Sequence, residues 1–263
     1  MTSAVNSTDT RDLEPSPLSS SATVDKSAAQ VRSMFAAIAR RYDLLNHLLS
    51  LNIDRFWRVR AAQRLRDRLA DGPAGPILDC CTGTCDLALA FDRVARGSRP
   101  IVGIDFTPEL LSLGAVKLKR RGCAERISLG QGDALRLPFA SNTFAASMVA
   151  FGLRNVADTT QGIDELMRVV QPGGAVAILE FSRPRGPVLG RAYLSFFRAV
   201  LPRIGQTIAP NTQNAYGYLP QSVLEFPDGP DMVALLEQRG LTDVTAEPLT
   251  AGIATLYLGV KPC

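Results

Sequence analysis

One short loop concentrates the residue types of this chain that can do chemistry. In the segment ILDCCTGTCDLAL, residues 77–89, one apolar run ends at Asp79 and a second begins near Asp86. Between them lie the small residues Gly83 and Thr84 and three cysteines. A metal site, a redox centre and a nucleotide site each predict such a segment, and each predicts different neighbours.

The cysteines do not follow a metal-binding pattern. The chain has five cysteines and a single histidine, His47, whereas a zinc site needs two separated Cys/His pairs. The adjacent Cys80 and Cys81 do not pair easily with each other. We therefore expect no metal, and reduced thiols in a reducing compartment.

The loop also lacks the glycine pattern of dinucleotide-binding folds. G-x-G-x-x-G brings a pyrophosphate onto a helix N-terminus, but this loop has only Gly83 between Asp79 and Asp86. The two carboxylates would repel a pyrophosphate and attract a cation. S-adenosylmethionine, which carries a sulfonium and an amino group, fits better than NAD; an NAD-dependent oxidoreductase is the alternative enzyme class.

Two further acids follow the next two predicted strands. Asp105 ends the segment PIVGID, where a carboxylate can accept both ribose hydroxyls. The alternative is that Asp105 caps the helix that starts near Pro108. Asp133 and Ala134 follow the third strand, where a carboxylate can bind the exocyclic amine of an adenine; an ordinary turn is the alternative.

An alternation of strands and helices must position these residues. The patterns predict strands at 77–79, 100–105, 126–134, 145–153 and 175–182, and helices at 86–96, 108–121 and 159–170. Such an alternation predicts a parallel sheet with helices on both faces. Further on, an apolar helix is predicted at 193–208, a helix at 232–239, and an antiparallel strand pair at 243–248 and 254–260, on the sheet edge.

Composition and net charge limit the class of protein. Residues 1–26 are rich in Ser, Thr, Asp and Pro and predict a disordered tail, and residues 27–263 predict one domain that begins with a helical lid. With 46% hydrophobic residues and a net charge of +4, the chain reads as soluble and does not indicate a nucleic-acid partner. The basic clusters at 55–68 and 117–121 predict solvated helix faces. We see no secretory signal and no membrane span, and expect a cytoplasmic protein.

Several motifs of the chain resemble those of the ubiquinone/menaquinone biosynthesis C-methyltransferases: RYDLLNHLLSLNIDRFWR, LDCCTGTCDLAL, GDALRLPFASNTF, FGLRNV, LMRVVQPGGAVAILEFSRP and LTAGIATLYLGVKP. The resemblance runs from about residue 31 to residue 262. It implies the class I, Rossmann-like methyltransferase fold: seven strands, mostly parallel, with helices on both faces and an antiparallel edge strand. It also implies S-adenosylmethionine as cofactor. The implied cofactor-binding residues are Thr84, Asp105, Asp133 and Ala134, with Asp79 and Gly83 in the loop.

The family's activity, carried over, is methylation of a ring carbon of a reduced, polyprenylated quinol, with demethylmenaquinol as the expected acceptor. The benzoquinol step of ubiquinone biosynthesis and a non-catalytic module are the alternatives. Arg154 and Asn155 are expected to orient the quinol. His47 is a candidate general base and Tyr42 a lid residue, with a plain loop or helix-face position and core packing as their respective alternatives.

Two expectations concern the surroundings of the site. The apolar helix at 193–208 predicts either a groove for the prenyl tail, with transient contact to the inner face of the membrane, or core packing; a homodimer is left open. Cys85 stands where the family has Gly, and Gly lets a backbone approach a ligand closely. We therefore expect Cys85→Gly to raise cofactor affinity.

Overall fold

The apolar runs of the sequence form the strands of one sheet. The computed structural model describes residues 52–184 and 221–263, together with residues 32, 33, 36 and 50. Within these residues the sheet has seven strands in the order β3-β2-β1-β4-β5-β7-β6. The strands are β1 (Ile77–Cys80), β2 (Ile101–Asp105), β3 (Ile127–Gln131), β4 (Phe144–Ala150), β5 (Val170–Phe181), β6 (Thr242–Leu249) and β7 (Ala254–Val260).

Five longer helices accompany these strands in the described part of the chain. They are α1 (Ile53–Arg68), α2 (Asp86–Val94), α3 (Pro108–Arg121), α4 (Thr159–Val169) and α5 (Pro230–Gln238). Short 3₁₀ turns occupy Leu153–Asn155, after β4, and Thr250–Gly252, between β6 and β7. Each strand from β1 to β4 thus leads into a loop or turn at the same edge of the sheet, and those loops build the site.

Strand direction agrees with the predicted fold class. Strands β1 to β5 pair in parallel, while β7 runs antiparallel to β5 and β6 antiparallel to β7. Crossover helices cover both faces of a parallel sheet, so its strands read as continuous apolar runs. The class I methyltransferase architecture and the antiparallel pair at the edge are therefore confirmed.

Two apolar clusters bury the two faces of the sheet. One cluster packs α1 and α2 on the sheet through residues such as Trp57, Leu65 and Phe91. The other packs α4 and α5 on the opposite face through residues such as Leu166 and Leu236. Because helices cover both faces of the parallel strands, the loops at the strand ends are left accessible to a ligand.

The bounds differ from prediction mainly around β4 and β5. β4 ends at Ala150 rather than at residue 153, because the chain turns sharply at Phe151, which has a φ of 59°. β5 starts at Val170 instead of residue 175: Val170 already pairs with Phe144, and the register then shifts by a bulge. The predictions for residues 1–26, for most of the N-terminal lid and for the helix at 193–208 lie outside the described residues.

Candidate active site

A cleft opens at the carboxyl ends of the central strands. The strand order reverses between β1 and β4, and ligands of open α/β sheets bind at such a switch point. The cleft has about 770 Å³ of empty space, a volume that includes its open mouth. Its lining includes Cys80, Cys81, Ile104, Asp105, Phe106, Leu110, Asp133, Ala134, Leu135, Phe151, Gly152 and Asn155.

Asp79 shapes the loop after β1 from inside the protein. Its Oδ2 accepts hydrogen bonds from the Thr82 hydroxyl at 2.6 Å and from the Ala88 N–H at 3.1 Å, which ties the turn to the start of α2. Burial raises the pKa of Asp79 to about 7. Asp79 does not line the cleft, so its position is that of a residue which orders the loop.

Asp105 holds two loops and also lines the cleft. Its Oδ2 accepts the N–H of Gly83 at 2.8 Å, and its Oδ1 accepts the N–H of Thr107 at 2.9 Å. Thr107, not Asp105, is the N-cap residue of α3, so the alternative that Asp105 caps this helix is wrong; Asp105 instead accepts the N–H of the cap residue. Asp105 also lines the cleft, where a ligand's hydroxyl groups can reach it. Burial raises the pKa of this group.

Asp133 and Ala134 lie on the far wall of the cleft. The Asp133 carboxylate accepts the N–H of Leu135 at 2.9 Å, the hydrogen bond expected of a turn. Ile104 and Leu135 add apolar surface beside Ala134. An apolar slot bordered by carboxylates suits a flat base joined to a ribose, and this is the part of the cleft where an adenosine fits.

Thr84 and Gly83 belong to the loop rather than to the walls of the cleft. The hydroxyl of Thr84 accepts a hydrogen bond from Lys117 Nζ of α3 at 2.8 Å, and the same ammonium lies 2.8 Å from Asp86 Oδ1. Lys117 therefore clamps the loop to α3, and the prediction of a solvated face is wrong at this residue. No local pattern of the sequence indicates this contact, because it joins residues far apart in the chain.

Cys85 points away from the cleft. Its φ of 73° lies in the left-handed region that favours glycine, which explains why the family has Gly there. Its buried Sγ fills the space over Gly114 of α3, where an added Cβ would meet the sulfur at 2.6 Å. Burial raises the pKa of the thiol to about 12, so it stays protonated. We therefore revise the expectation that Cys85 weakens cofactor binding.

The FGLRNV segment forms the other wall. Phe151 carries a positive φ, and its carbonyl accepts hydrogen bonds from Arg154 Nη1 at 2.6 Å and from Asn155 Nδ2 at 3.2 Å. Arg154 Nη1 also lies 2.6 Å from Glu180 Oε1, and the two side chains are only 7% and 0% exposed. Asn155 lines the cleft, whereas Arg154 lies behind that wall in a buried ion pair.

An aromatic cluster holds this wall in place. The rings of Phe151 and Phe181 are 4.6 Å apart, and Trp57 of α1 lies 6.0 Å from the ring of Phe151. The guanidinium of Arg58 stands 5.1 Å from the Phe151 ring, and that of Arg154 stands 5.2 Å from the Phe181 ring. Such contacts between a cation and a ring face are attractive. Sequence reasoning assigned no site role to Trp57 or Arg58, although both lie in one of the motifs.

Three buried side-chain atoms in the described residues have no hydrogen-bond partner: Asp79 Oδ1, Arg154 Nε and Asn155 Oδ1. All three belong to residues singled out from the sequence. Buried polar atoms are nearly always paired, so an orphaned one indicates a place for water or a ligand. The structure thus brings Asp105, Asp133, Ala134 and Asn155 to one cleft, while Tyr42 and His47 lie outside the described residues.

Comparison with known proteins assigns the family. The model of the ubiE/COQ5 methyltransferase family matches residues 23–261. The chain belongs to this family. A ubiquinone/menaquinone biosynthesis C-methyltransferase UbiE from Geobacter sp. (strain M21) is 45% identical over 232 residues, which cover 88% of this chain and 96% of the relative. The demethylmenaquinone methyltransferase of Deinococcus radiodurans is 43% identical, covering 90% and 94%.

Solved structures agree with the ubiE/COQ5 family fold. A SAM-dependent methyltransferase from Thermotoga maritima, described as a possible histamine N-methyltransferase, superposes with a TM-score of 0.58 at 15% identity and covers 88% of this chain and 99% of its own. At that identity the likeness shows the fold alone. As a ubiE/COQ5 family member, the chain is a C-methyltransferase that uses S-adenosylmethionine, and the carboxylates and apolar walls of the cleft fit that cofactor.

Among the residues that the structure describes, no helix is long and apolar enough to cross a membrane. The same residues contain no group of three or more His, Cys, Asp or Glu side chains arranged to hold a metal ion.

Proposed function

We propose that this ubiE/COQ5 family methyltransferase methylates a ring carbon of a reduced, polyprenylated quinol, converting demethylmenaquinol to menaquinol. The observation that carries the substrate is the pair of relatives named demethylmenaquinone methyltransferase, from Deinococcus radiodurans and Chlorobaculum parvum, at 43% and 38% identity over 90% of the chain. The FGLRNV wall, in which the cleft-lining Asn155 has a buried Oδ1 without a hydrogen-bond partner, supports an acceptor with oxygen substituents.

The cofactor is assigned to the wall formed by β1, β2 and β3. Asp105 would bind the ribose with the lone pairs that Gly83 and Thr107 leave open. Asp133 and Ala134 would hold the adenine against the apolar wall. Bound S-adenosylmethionine supplies an electrophilic methyl group on a sulfonium. Negative charge on Asp105 and Asp133 favours such a cation at this edge of the sheet.

The acceptor is assigned to the wall formed after β4. Asn155 lines the cleft and its buried Oδ1 has no partner, so a reorientation of this side chain would let Oδ1 accept a hydrogen bond from a quinol hydroxyl. Arg154 is a positioning residue: it holds the Phe151 carbonyl and leaves its Nε free for a water-mediated contact. The positive charge of Arg154, which the Glu180 carboxylate offsets in part, favours the phenolate form of the quinol. Methyl transfer needs that ring carbon held in line with the methyl group.

Loss of the hydroxyl proton needs an acceptor. His47 remains the candidate general base and Tyr42 the lid residue, both as predictions from the sequence. Asp79 has a pKa near neutrality, but it does not line the cleft, and one of its oxygens is held by Thr82 and Ala88. We therefore assign Asp79 to loop order and keep His47 as the base.

The second candidate is the benzoquinol step of ubiquinone biosynthesis. It is favoured by the relatives whose name covers both quinones, including the one at 45% identity. Either substrate carries a long apolar tail, so we also propose a transient contact with the inner face of the membrane. We also propose that the protein forms a homodimer.

The experiment that tests the activity uses purified full-length protein with demethylmenaquinol and, separately, with the demethylated benzoquinol. We expect a ring-methylated naphthoquinol, detected by mass, and no benzoquinol product. A strain that lacks the protein should accumulate a quinone short by one methyl group. Arg154→Ala should cut turnover and leave cofactor affinity largely unchanged. Turnover of neither quinol by protein that binds the cofactor would refute the assigned substrate.

A further inference from the structure

Two adjacent thiols line the cofactor cleft and have no part in the proposed chemistry. Cys80 ends β1, and Cys81 begins the loop that follows. Side chains of consecutive residues in a strand point to opposite faces. Cys81, however, has a φ of 53°, which turns its side chain so that both residues border the same space.

The local packing holds the two thiols together. The neighbouring Cys80 thiol and burial raise the pKa of Cys81 well above its usual range, and Cys81 packs against the apolar cluster that contains Cys80. Gly152 makes room for this arrangement, because an added Cβ there would lie 2.4 Å from the Cβ of Cys81. Cys80 is buried, Cys81 is half-buried, and both line the cleft.

A direct disulfide does not suit this pair. Consecutive α-carbons are about 3.8 Å apart across a trans peptide, and disulfides usually need about 4.4–6.8 Å. A single soft atom between the sulfurs would enlarge the ring and remove that constraint. Soft thiophilic centres prefer sulfur ligands, and trivalent arsenic binds two neighbouring thiols with a third position left for an organic group.

We propose that Cys80 and Cys81 form a dithiol site for trivalent organoarsenic compounds inside the cofactor cleft. An arsine oxide, R–As=O, reacts with the two thiols: two As–S bonds form, two S–H bonds break, and both protons leave with the oxygen as one water. Arsenic stays trivalent, and no electron is transferred. Because the product fills space next to Asp105, the arsenical and the cofactor exclude each other.

The mutual exclusion of arsenical and cofactor rests on the proposed function, whereas formation of the adduct does not. Phenylarsine oxide is the probe, and intact mass is the readout. We expect one adduct per chain that 2,3-dimercaptopropanol removes and a monothiol does not. All five cysteines are free and lie in the described residues, so trypsin digestion can place the adduct. The peptide of residues 69–93 should carry it, because it contains Cys80 and Cys81.

Variants separate this pair from the other cysteines. Cys80→Ala and Cys81→Ala should each lower adduct formation at least tenfold, while Cys85→Gly, Cys123→Ala and Cys263→Ser should leave it unchanged. Far-ultraviolet circular dichroism checks that each variant is folded. Retention of the adduct in folded Cys80→Ala, or its location outside residues 69–93, would overturn the proposal.

Protection by the cofactor product provides the second arm. S-adenosylhomocysteine at saturation should slow adduct formation at least tenfold in the unmodified protein. An unchanged rate in protein whose binding of S-adenosylhomocysteine has been measured would place the thiols outside the cofactor cleft and refute the exclusion. Absence of any S-adenosylhomocysteine binding, with the adduct still formed, would instead count against the proposed function while supporting the dithiol site.

Discussion

The two walls of the cleft are built on different principles. On the wall formed after β1 and β2, carboxylates accept hydrogen bonds from backbone N–H groups, as Asp105 does from Gly83 and Thr107. On the wall formed after β4, a fully buried ion pair joins Arg154 to Glu180 and is packed against aromatic rings. The first arrangement fixes a loop around a ligand, and the second fixes a charged side chain behind the surface.

Because of this difference, substitutions on the two walls should affect different properties of the protein. A carboxylate with lone pairs to spare can bind a ligand without leaving a charge alone when the ligand departs. A buried ion pair cannot lose either member without leaving an unpaired charge in the interior. We therefore expect changes on the first wall to appear as lost affinity, and changes behind the second wall to appear as lost stability.

The largest expected effect is on the second wall. Glu180→Ala leaves the Arg154 guanidinium buried without its partner and should lower the free energy of unfolding by about 3–5 kcal/mol. The matched control is Asp164→Ala, which breaks the Arg239–Asp164 pair, whose side chains are 39% and 40% exposed. That change should lower the same quantity by at most about 1 kcal/mol. Urea denaturation measures both, and equal losses would contradict the comparison.

On the first wall, Asp105→Ala should weaken cofactor binding by roughly 100-fold or more. The variant loses the hydrogen bonds from the two ribose hydroxyls to a charged acceptor, worth about 1.5–3 kcal/mol each. Isothermal titration with S-adenosylmethionine measures the affinity. Asp133→Ala, which removes a bond to one N–H, is the matched control and should have a smaller effect. An affinity for Asp105→Ala within threefold of the unmodified protein would remove this residue from the cofactor site.

The pH dependence of stability should reveal the buried acid of the first wall. The pKa of Asp79 is about 7 in the folded chain, against 3.8 for the free side chain. Its stabilising contribution is therefore fully present below pH 3.8 and is lost as the pH rises through 7. The slope is at most about 1.4 kcal/mol per pH unit.

Denaturation between pH 5 and 7 tests this prediction, and Asp79→Asn should flatten the curve. Asp92→Asn is the control, because Arg126 lowers the pKa of Asp92 and moves its titration below this window. A curve that stays equally steep in Asp79→Asn would mean that another group, such as Asp105, carries the slope.

The smallest expected effect concerns the contact between the loop and α3. Gly114→Ala brings a Cβ against Cys85 Sγ and should lower the free energy of unfolding by about 1–2 kcal/mol. In a Cys85→Gly background the same change should lower it by less than half as much. Cys85→Gly alone should leave cofactor affinity within about threefold, because the sulfur faces α3. Additive effects in this cycle would show that the two residues do not share the space.

The sequence predicted the fold and the places of two acids in it. β1 and β2 are apolar runs with an aspartate at or next to their end, so Asp79 and Asp105 could be placed at one edge from local pattern alone. The helix α3 was predicted at its observed bounds, since Pro108 starts it and Gly122 ends it. Strand ends and helix bounds that depend on local residue pattern can be predicted from a single sequence.

The second wall could not be derived in the same way. Glu180 lies in an apolar strand and gives no sign that it pairs with Arg154, 26 residues earlier in the chain. Lys117 looked like one of several solvated basic residues until α3 was placed beside Thr84. Contacts of this kind depend on how the elements pack, so no local pattern in the sequence indicates them.

The chain has a single tryptophan, Trp57, and its place against Phe151 gives the molecule a built-in optical reporter. Its indole N–H donates to Thr250 Oγ1 at 2.8 Å, in the turn between the last two strands. Light emitted from one residue therefore samples the first helix, the motif after β4 and the far edge of the sheet at once. Filling or emptying of the cleft can be followed in real time without any label.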